Sequence, residues 1–319
     1  TAMEFGVNHI DTANMYGMGV SETRIGKFLS SVGKKDRNFF HIATKGGIKT
    51  KPGGPPEFDN TKDYLTSELD KSLQRLGVEN IGLYYIHRRD GKTPIEEVVE
   101  TLLEFKKEGK INQFGFSEIS PVSLEKANNI HHVGAVQSEY SLSTRFPELG
   151  LLQKTKKLET AFIAFSPVGR GLLTDKPPTP ERVKESPFLK VNPRFLEPNL
   201  SENIKAVKGF QKLAKDYGLS TAGLAIAWLI AKDVHIIPIP GTRSTIHLKE
   251  MIKGTEKNLT QTDVNEATYV TANANNSTNE TVYPTFVYGA TGKQEIETDT
   301  GLTYIPSRIK LEFVSNMRK

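Results

Sequence analysis

The chain has 319 residues, 37% apolar and 25% charged, with a net charge of +5; this suits a soluble globular protein with room for a barrel, for which about 250 residues is typical. It has no cysteine, which excludes disulfides, thiolate catalysis and cysteine-ligated metal and fits a reducing, cytoplasmic setting. Lys and Arg are scattered, no apolar run approaches about 18 residues, and the first residues lack a secretory pattern, so no nucleic-acid partner, membrane span, signal peptide or metal is expected.

The predicted elements alternate along the chain. A strand at Asn8–Ile10 is followed by a helix over Ser21–Leu29, with Ile25, Phe28 and Leu29 on one face and Ser21 as its N-cap. Phe39–Thr44 reads as a strand. Asn60–Leu76 reads as a helix with Tyr64, Leu65, Leu69, Leu73 and Leu76 aligned and Gly77 as its stop. After the strand Ile81–His87, Pro94–Lys107 opens with Pro in the first turn, and Glu96 and Glu97 suit the helix dipole. Ile111–Ser117 is a strand, Pro121–Asn129 a helix behind Ser120, and Ala135–Tyr140 and Ala161–Ser166 are strands. Helices over Ser201–Tyr217 and Ser220–Ala231, the latter with the single tryptophan Trp228, precede a strand at His235–Pro240. A further helix starts near Ser244 or Thr245, and Leu259–Val264 looks like the capped start of a last one. Short strands alternating with helices argue for βαβ units and a parallel sheet.

Seven strand–helix units can be counted, and a closed barrel needs eight. Thr1–Gly6 reads as the end of a helix, so the expected fold is an α/β (β/α)8 TIM-type barrel with its first strand and most of its first helix absent from the chain. An open seven-stranded sheet ranks lower, because an unpaired edge beside a buried parallel strand is a liability. A third alternative lets the C-terminal segment fill the gap. Residues 1–267 are assigned to the barrel and 268–319 to a tail of uncertain structure, polar over Asn273–Thr281 and loosely alternating, as strands do, over Gly289–Val314. Asn-rich triplets near residue 276 match glycosylation spacing and are read as chance.

Four stretches carry the chemistry: Asp11-Thr12-Ala13-Asn14-Met15-Tyr16-Gly17, Ala43-Thr44-Lys45-Gly46-Gly47, Tyr84-Tyr85-Ile86-His87-Arg88-Arg89-Asp90 and Gln137-Ser138-Glu139-Tyr140-Ser141. The first three place ionisable or hydroxyl side chains at successive strand ends. A phenol, with a pKa near 10, donates poorly at neutral pH, and a neighbouring ammonium favours its ionised form. Lys45 can supply that charge, Asp11 can hold Lys45, Tyr16 can donate the proton, and His87 can hydrogen-bond a substrate carbonyl. The set suits carbonyl reduction. Taken singly each residue has a plainer reading: Asp11 as a cap, Tyr16 as packing, His87 as a structural histidine.

These motifs resemble the aldo-keto reductase family over roughly residues 1–265, with Asp11, Tyr16, Lys45 and His87 matching its tetrad one for one. No Gly-x-Gly-x-x-Gly follows a strand, so a Rossmann cofactor site has no support. The resemblance implies NADPH instead. It implies that Ser117 and Gln137 hold the nicotinamide amide, with Glu118 where the family often has Asn. It implies that Phe165 stacks on the nicotinamide in place of a Tyr, and that Ser166, Val168, Gly169 and Gly171 form a pyrophosphate loop. Gly241 and Arg243 sit where a 2′-phosphate is held, with His247 and Glu250 in the following helix; His247 replaces an Arg, and Met251 an Asn that contacts adenine. The implied activity is reduction of a small aldehyde or ketone. The alternative is a nucleotide-binding regulatory subunit of the same fold with slow or no turnover, like the potassium-channel β subunits.

Overall fold

A computed structural model describes residues 1–49 and 54–272. In chain order the elements are β1 (His9–Asp11), α1 (Val20–Ser31), α2 (Lys34–Phe39), β2 (His41–Gly46), β3 (Ile48–Lys49), β4 (Glu57–Phe58), α3 (Lys62–Leu76), β5 (Ile81–Ile86), α4 (Ile95–Lys107), β6 (Ile111–Ser117), α5 (Pro121–Ile130), β7 (Ala135–Glu139), α6 (Leu151–Lys157), β8 (Ala161–Phe165), α7 (Pro180–Glu185), α8 (Asn199–Asp216), α9 (Thr221–Lys232), β9 (Ile236–Pro238), α10 (Thr245–Thr255) and α11 (Gln261–Ala272). The described residues group into two compact units, one within Thr1–Pro167 and Asp233–Ile252, the other of Val168–Lys232 with Lys253–Ala272.

The first unit contains the whole main sheet. Seven strands run parallel in the order β1-β2-β5-β6-β7-β8-β9, the arrangement of a TIM-type α/β fold, and β3 and β4 form a separate two-stranded hairpin. Among the described residues β1 and β9 each pair on one side only. Because side chains alternate along a strand, the register sorts residues into two faces. Tyr84, Phe114, Phe116, Val136 and Phe162 lie on one face and are fully buried, as are Leu65, Leu69, Val98 and Leu102 of α3 and α4; the Tyr84 ring meets Phe105 of α4 edge-on at 6.3 Å. On the other face Ala43, Tyr85, Ala135 and Ile163 form a compact apolar cluster, packed by Leu83, Ala161 and Ile239. Small residues make room there for one large ring. A Cβ on Gly115 would come within 2.8 Å of Tyr85 Cε1 and 2.4 Å of the Ala135 carbonyl oxygen.

Local chemistry sets the helix ends, in places differently from the sequence expectation. Ser120 caps α5, accepting from the Ser123 N–H at 3.2 Å, and α3 stops at Gly77 in the left-handed region (φ 66°). Helix α1 is not capped by Ser21. Gly17, Met18 and Gly19 all take positive φ and deliver the chain into a helix that starts at Val20, while the Ser21 hydroxyl accepts from Thr12. Pro94 occupies the N-cap of α4, one position earlier than the first turn. Phe39 ends α2 instead of opening β2; that helix is short and charged, with no apolar period to reveal it. The two-residue strands β3 and β4 and the short helices α6 and α7 also fall below the length at which periodicity is readable.

In the second unit α8, α9 and α11 carry the core. Trp228 is fully buried, and its indole N–H donates to Thr268 Oγ1 at 3.0 Å. Helix α11 opens with a reciprocal cap, in which the Thr260 N–H donates to Asp263 at 2.7 Å and the Asp263 N–H to Thr260 Oγ1 at 3.2 Å. Among the described residues no helix is long and apolar enough to cross a membrane, and no cluster of His, Asp or Glu could hold a metal. The expected tail strands beyond Gly289 lie outside the described residues.

Candidate active site

The register of the main sheet brings the tetrad residues to one end of one face. Asp11 stands opposite Ala43, Lys45 opposite Tyr85, Tyr85 opposite Gly115, and Ser117 opposite Gln137. His87 follows β5 by one residue and keeps the parity of Tyr85. Gln137 in turn stands opposite Ile163, and Glu139 opposite Phe165. The strands therefore present Asp11, Lys45, His87, Ser117, Gln137 and Phe165 on a common face at their C-terminal ends.

Lys45 is fully buried and ion-paired with Asp11 Oδ1. Its ammonium also donates to the Thr12 carbonyl at 2.9 Å. The chain after β1 wraps over this pair, tied to β2 by the Thr12 N–H to the Ala43 carbonyl at 2.9 Å and the Asn14 N–H to the Lys45 carbonyl at 3.1 Å. That turn delivers Tyr16, whose ring centroid is 5.1 Å from Lys45 Nζ and 5.8 Å from the His87 ring, met edge-on. Tyr16 is 40% exposed, whereas Lys45 and His87 are buried. Burial, reinforced by the positive charges of Lys45 and Arg88, pushes the His87 pKa down from the ordinary 6.5 to about 3, so the ring is neutral at pH 7. Its Nδ1 is buried with no hydrogen-bond partner.

Two residues expected to hold a nicotinamide amide are engaged in the same network. Gln137 Nε2 donates to Asp11 Oδ2 at 2.8 Å. Arg88 donates to the Ser117 hydroxyl at 2.9 Å and to the His87 carbonyl at 2.6 Å. Guanidinium and carboxylate fix the polarity. Ser117 accepts from Arg88, so its own O–H is left to donate; Gln137 gives its N–H to Asp11, so its carbonyl oxygen is left to accept. A free donor beside a free acceptor on adjacent strands is complementary to a primary carboxamide. The loop carrying Arg88 is held from behind by Asn60, which donates to the Arg88 carbonyl at 2.9 Å and accepts from the Asp90 N–H at 2.9 Å. Glu118 sits in the left-handed region (φ 55°) and accepts the Glu139 N–H at 2.8 Å.

Phe165 closes β8, and Ser166 follows with φ 51°. Val168, Gly169 and Gly171 belong to the second unit, where Gly169–Gly171 form a 3-10 turn with φ of 59° at Gly169 and 96° at Gly171. Beyond β9, Gly241, Arg243 and His247 are exposed and Glu250 is half-buried. Ser244 precedes α10 and accepts from the His247 N–H at 3.3 Å. Helix α10 is thus preceded by a hydroxyl-capped loop bearing Arg243, an arrangement that sets an exposed cation beside a helix N-terminus. Met251 is 4% exposed.

The residue-by-residue reading passed over Arg88, Asn60 and Tyr85. For Tyr85 there was a usable sign: it lies two positions before His87 and so shares its face.

The aldo/keto reductase family model matches residues 1–271. The chain belongs to this family. An aldo-keto reductase from Schizosaccharomyces pombe, named as acting with NADP(+), is 34% identical over 269 residues, 83% of this chain and 78% of the relative. A probable aldo-keto reductase from Glycine max is 35% identical over 265 residues, 83% of this chain and 75% of the relative. Among solved structures, a glycerol dehydrogenase from Gluconobacter oxydans superposes with a TM-score of 0.77 at 28% identity, covering 89% of this chain and 86% of its own. An aldo-keto reductase from Bacillus halodurans in its holo form gives 0.69 at 25% identity, with 84% of each chain covered.

Proposed function

We propose that this aldo-keto reductase is an NADPH-dependent oxidoreductase that reduces an aldehyde or ketone to an alcohol, with Tyr16 as the proton donor. The observation that carries this reading is the buried Asp11–Lys45 ion pair beneath an exposed phenol and beside a neutral imidazole. An ion pair with a fully buried ammonium is costly to assemble, and a histidine shifted as far as His87 beside it points to function. NADPH, when bound, supplies the hydride that reaches the carbonyl carbon. The protein supplies the rest. His87 and Tyr16 hold the carbonyl oxygen by hydrogen bonds. As the C–O π pair moves onto oxygen, Tyr16 gives up its proton, and the buried ammonium of Lys45 stabilises the phenolate left behind. Two of its three N–H groups are used by Asp11 and Thr12, which leaves the third for the phenol. Solvent then reprotonates the exposed Tyr16.

The fit to the cofactor rests on the free donor of Ser117 and free acceptor of Gln137, to which a nicotinamide carboxamide is complementary. Phe165 supplies a ring face for stacking. Ser166, directly after Phe165, is the pyrophosphate contact assigned on the first unit. Arg243 takes the 2′-phosphate, where its guanidinium fork favours NADPH over NADH, with Gly241, His247 and Glu250 assigned to the same end of the cofactor. The name of the Schizosaccharomyces pombe relative, with NADP(+) in it, supports the same choice. Steady-state NADPH oxidation with 4-nitrobenzaldehyde tests the reading. Turnover that disappears in Tyr16→Phe supports it; tight NADPH binding with no turnover on any aldehyde favours the regulatory-subunit alternative.

A further inference from the structure

The Asp11 carboxylate is held from two sides. Oδ1 takes the Lys45 ammonium and Oδ2 takes the Gln137 amide. We propose that Gln137 is a positioning residue of the proton-donating network, orienting the Asp11–Lys45 pair beneath Tyr16, as well as a contact for the cofactor amide; the proposal rests on the carbonyl-reductase reading above.

The case starts from geometry. A carboxylate bound through one oxygen swings about its Cβ–Cγ bond; bound through both oxygens it has one orientation. Asp11 is the last residue of the three-residue edge strand β1; backbone bonds to β2 fix its main chain but not the torsion of its carboxylate. Gln137 reaches it from β7, with three strands between them in the sheet order, and is itself 2% exposed. The polarity of the bond is fixed because the carboxylate only accepts. The Tyr85 hydroxyl lies beside Gln137, buried with no hydrogen-bond partner of good geometry. The Gln137 amide is the donor that Asp11 Oδ2 uses. The charged and titratable groups around Asp11 are Lys45, the buried His9 on its own strand, and the phenol of Tyr85.

Gln137→Glu turns this contact into two facing carboxylates, which cannot both ionise at contact distance and instead share one proton. The shared proton restores a bond of the same shape. The expected result is therefore a pH-conditional enzyme: kcat within about threefold of the parent near pH 5 and reduced about a hundredfold near pH 8, at saturating NADPH. Gln137→Met keeps the length and removes the donor at every pH. It should lower kcat about tenfold or more without pH rescue, while the NADPH dissociation constant, followed by protein fluorescence, rises by about tenfold from the lost amide contact. The two readouts separate the two roles. If both variants weaken NADPH binding but keep the parent's kcat and pH profile at saturation, Gln137 is a cofactor contact only and the proposal is overturned. If Gln137→Glu does not fold, an undiminished kcat in Gln137→Met still overturns it, and a lowered kcat supports it. A parent chain that binds no NADPH removes the underlying reading before any variant is made, so the two failures are distinguishable.

Discussion

The neutral His87 has a consequence for stability that can be measured without any substrate. In the folded chain its pKa falls from 6.5 to about 3, chiefly through burial. In the unfolded chain it titrates near the ordinary value. Between those two values the unfolded state binds a proton that the folded state refuses, so folding stability must fall as pH is lowered through the window from about 6.5 to about 3. At pH 5 the unfolded imidazole is about 1.5 units below its midpoint. At about 1.4 kcal/mol per unit, the folded state is disfavoured by about 2 kcal/mol relative to pH 7. The result does not depend on where below 5 the folded value lies. His87→Gln replaces the ring by a neutral amide that never titrates. The buried His9, whose pKa is also lowered by burial, contributes equally in both proteins and cancels in the comparison. Urea unfolding at pH 7 and pH 5 should therefore show the parent losing about 2 kcal/mol more than His87→Gln on acidification. Equal losses in the two proteins, within about 0.5 kcal/mol, would refute the burial argument and with it the assignment of His87 as a neutral donor.

Three further outcomes are expected. Tyr16→Phe should lower kcat by about 10²–10⁴-fold and leave the NADPH dissociation constant nearly unchanged; a kcat within about twofold of the parent, where chemistry limits turnover, rules Tyr16 out as the proton donor. Arg243→Ala should raise the NADPH dissociation constant by about one to two decades, the equivalent of one charge-assisted bond of about 1.5–3 kcal/mol, with NADH hardly affected; equal losses for both cofactors, by fluorescence titration, mean that Arg243 does not read the 2′-phosphate. Arg75→Met strands the fully buried Glu22, which Arg75 and Thr44 both bond at 2.6 Å, and should cost about 3–5 kcal/mol in urea unfolding, partly recovered by adding Glu22→Gln; a loss under about 1 kcal/mol means the pair is not what anchors α1 and α3 to β2.

What the sequence disclosed follows the range over which its signals act. Alternation within a strand and apolar spacing within a helix are local, so seven strands and the longer helices were readable to within a few residues. The expected Asp11, Lys45 and His87 were readable because each lies at or next to a strand end, and parallel strands place their ends together; Tyr16 comes from the turn that follows β1. Contacts between distant segments were not. The bond from Gln137 to Asp11 joins residues 126 apart in sequence, and only the register of intervening strands brings them together. Glu22 likewise read as one acid in an amphipathic helix; its burial depends on Gly26, where a Cβ would lie 2.2 Å from the Arg75 carbonyl oxygen and hold α1 away from α3. The missed cap at Gly19 has the same origin in a turn of three positive-φ residues, to which a propensity for Ser at N-caps is blind.

The orphaned Nδ1 of His87 decides which proton the imidazole carries. A neutral ring has one N–H and one lone pair. Nδ1 is buried with no acceptor in reach, so an N–H there would be an unpaired buried donor, at a cost of about 1–3 kcal/mol. A lone pair meets a different field, because the ring feels the positive charges of Lys45 and Arg88, which favour an electron-rich nitrogen. The proton therefore belongs on Nε2. That tautomer makes His87 a donor beside Tyr16, so the two rings, 5.8 Å apart and edge-on, offer two hydrogen bonds to one oxygen. On the proposed carbonyl-reductase reading, Tyr16 is then the group left to complete the transfer. An imidazole whose conjugate acid titrates near 3 cannot hold a second proton to deliver at pH 7, whereas the phenol sits over a buried ammonium that stabilises what remains when its proton leaves. Under that reading the division of labour between the two rings follows from their burial: the buried one would orient the carbonyl, and the exposed one, open to solvent for reprotonation, would give up the proton.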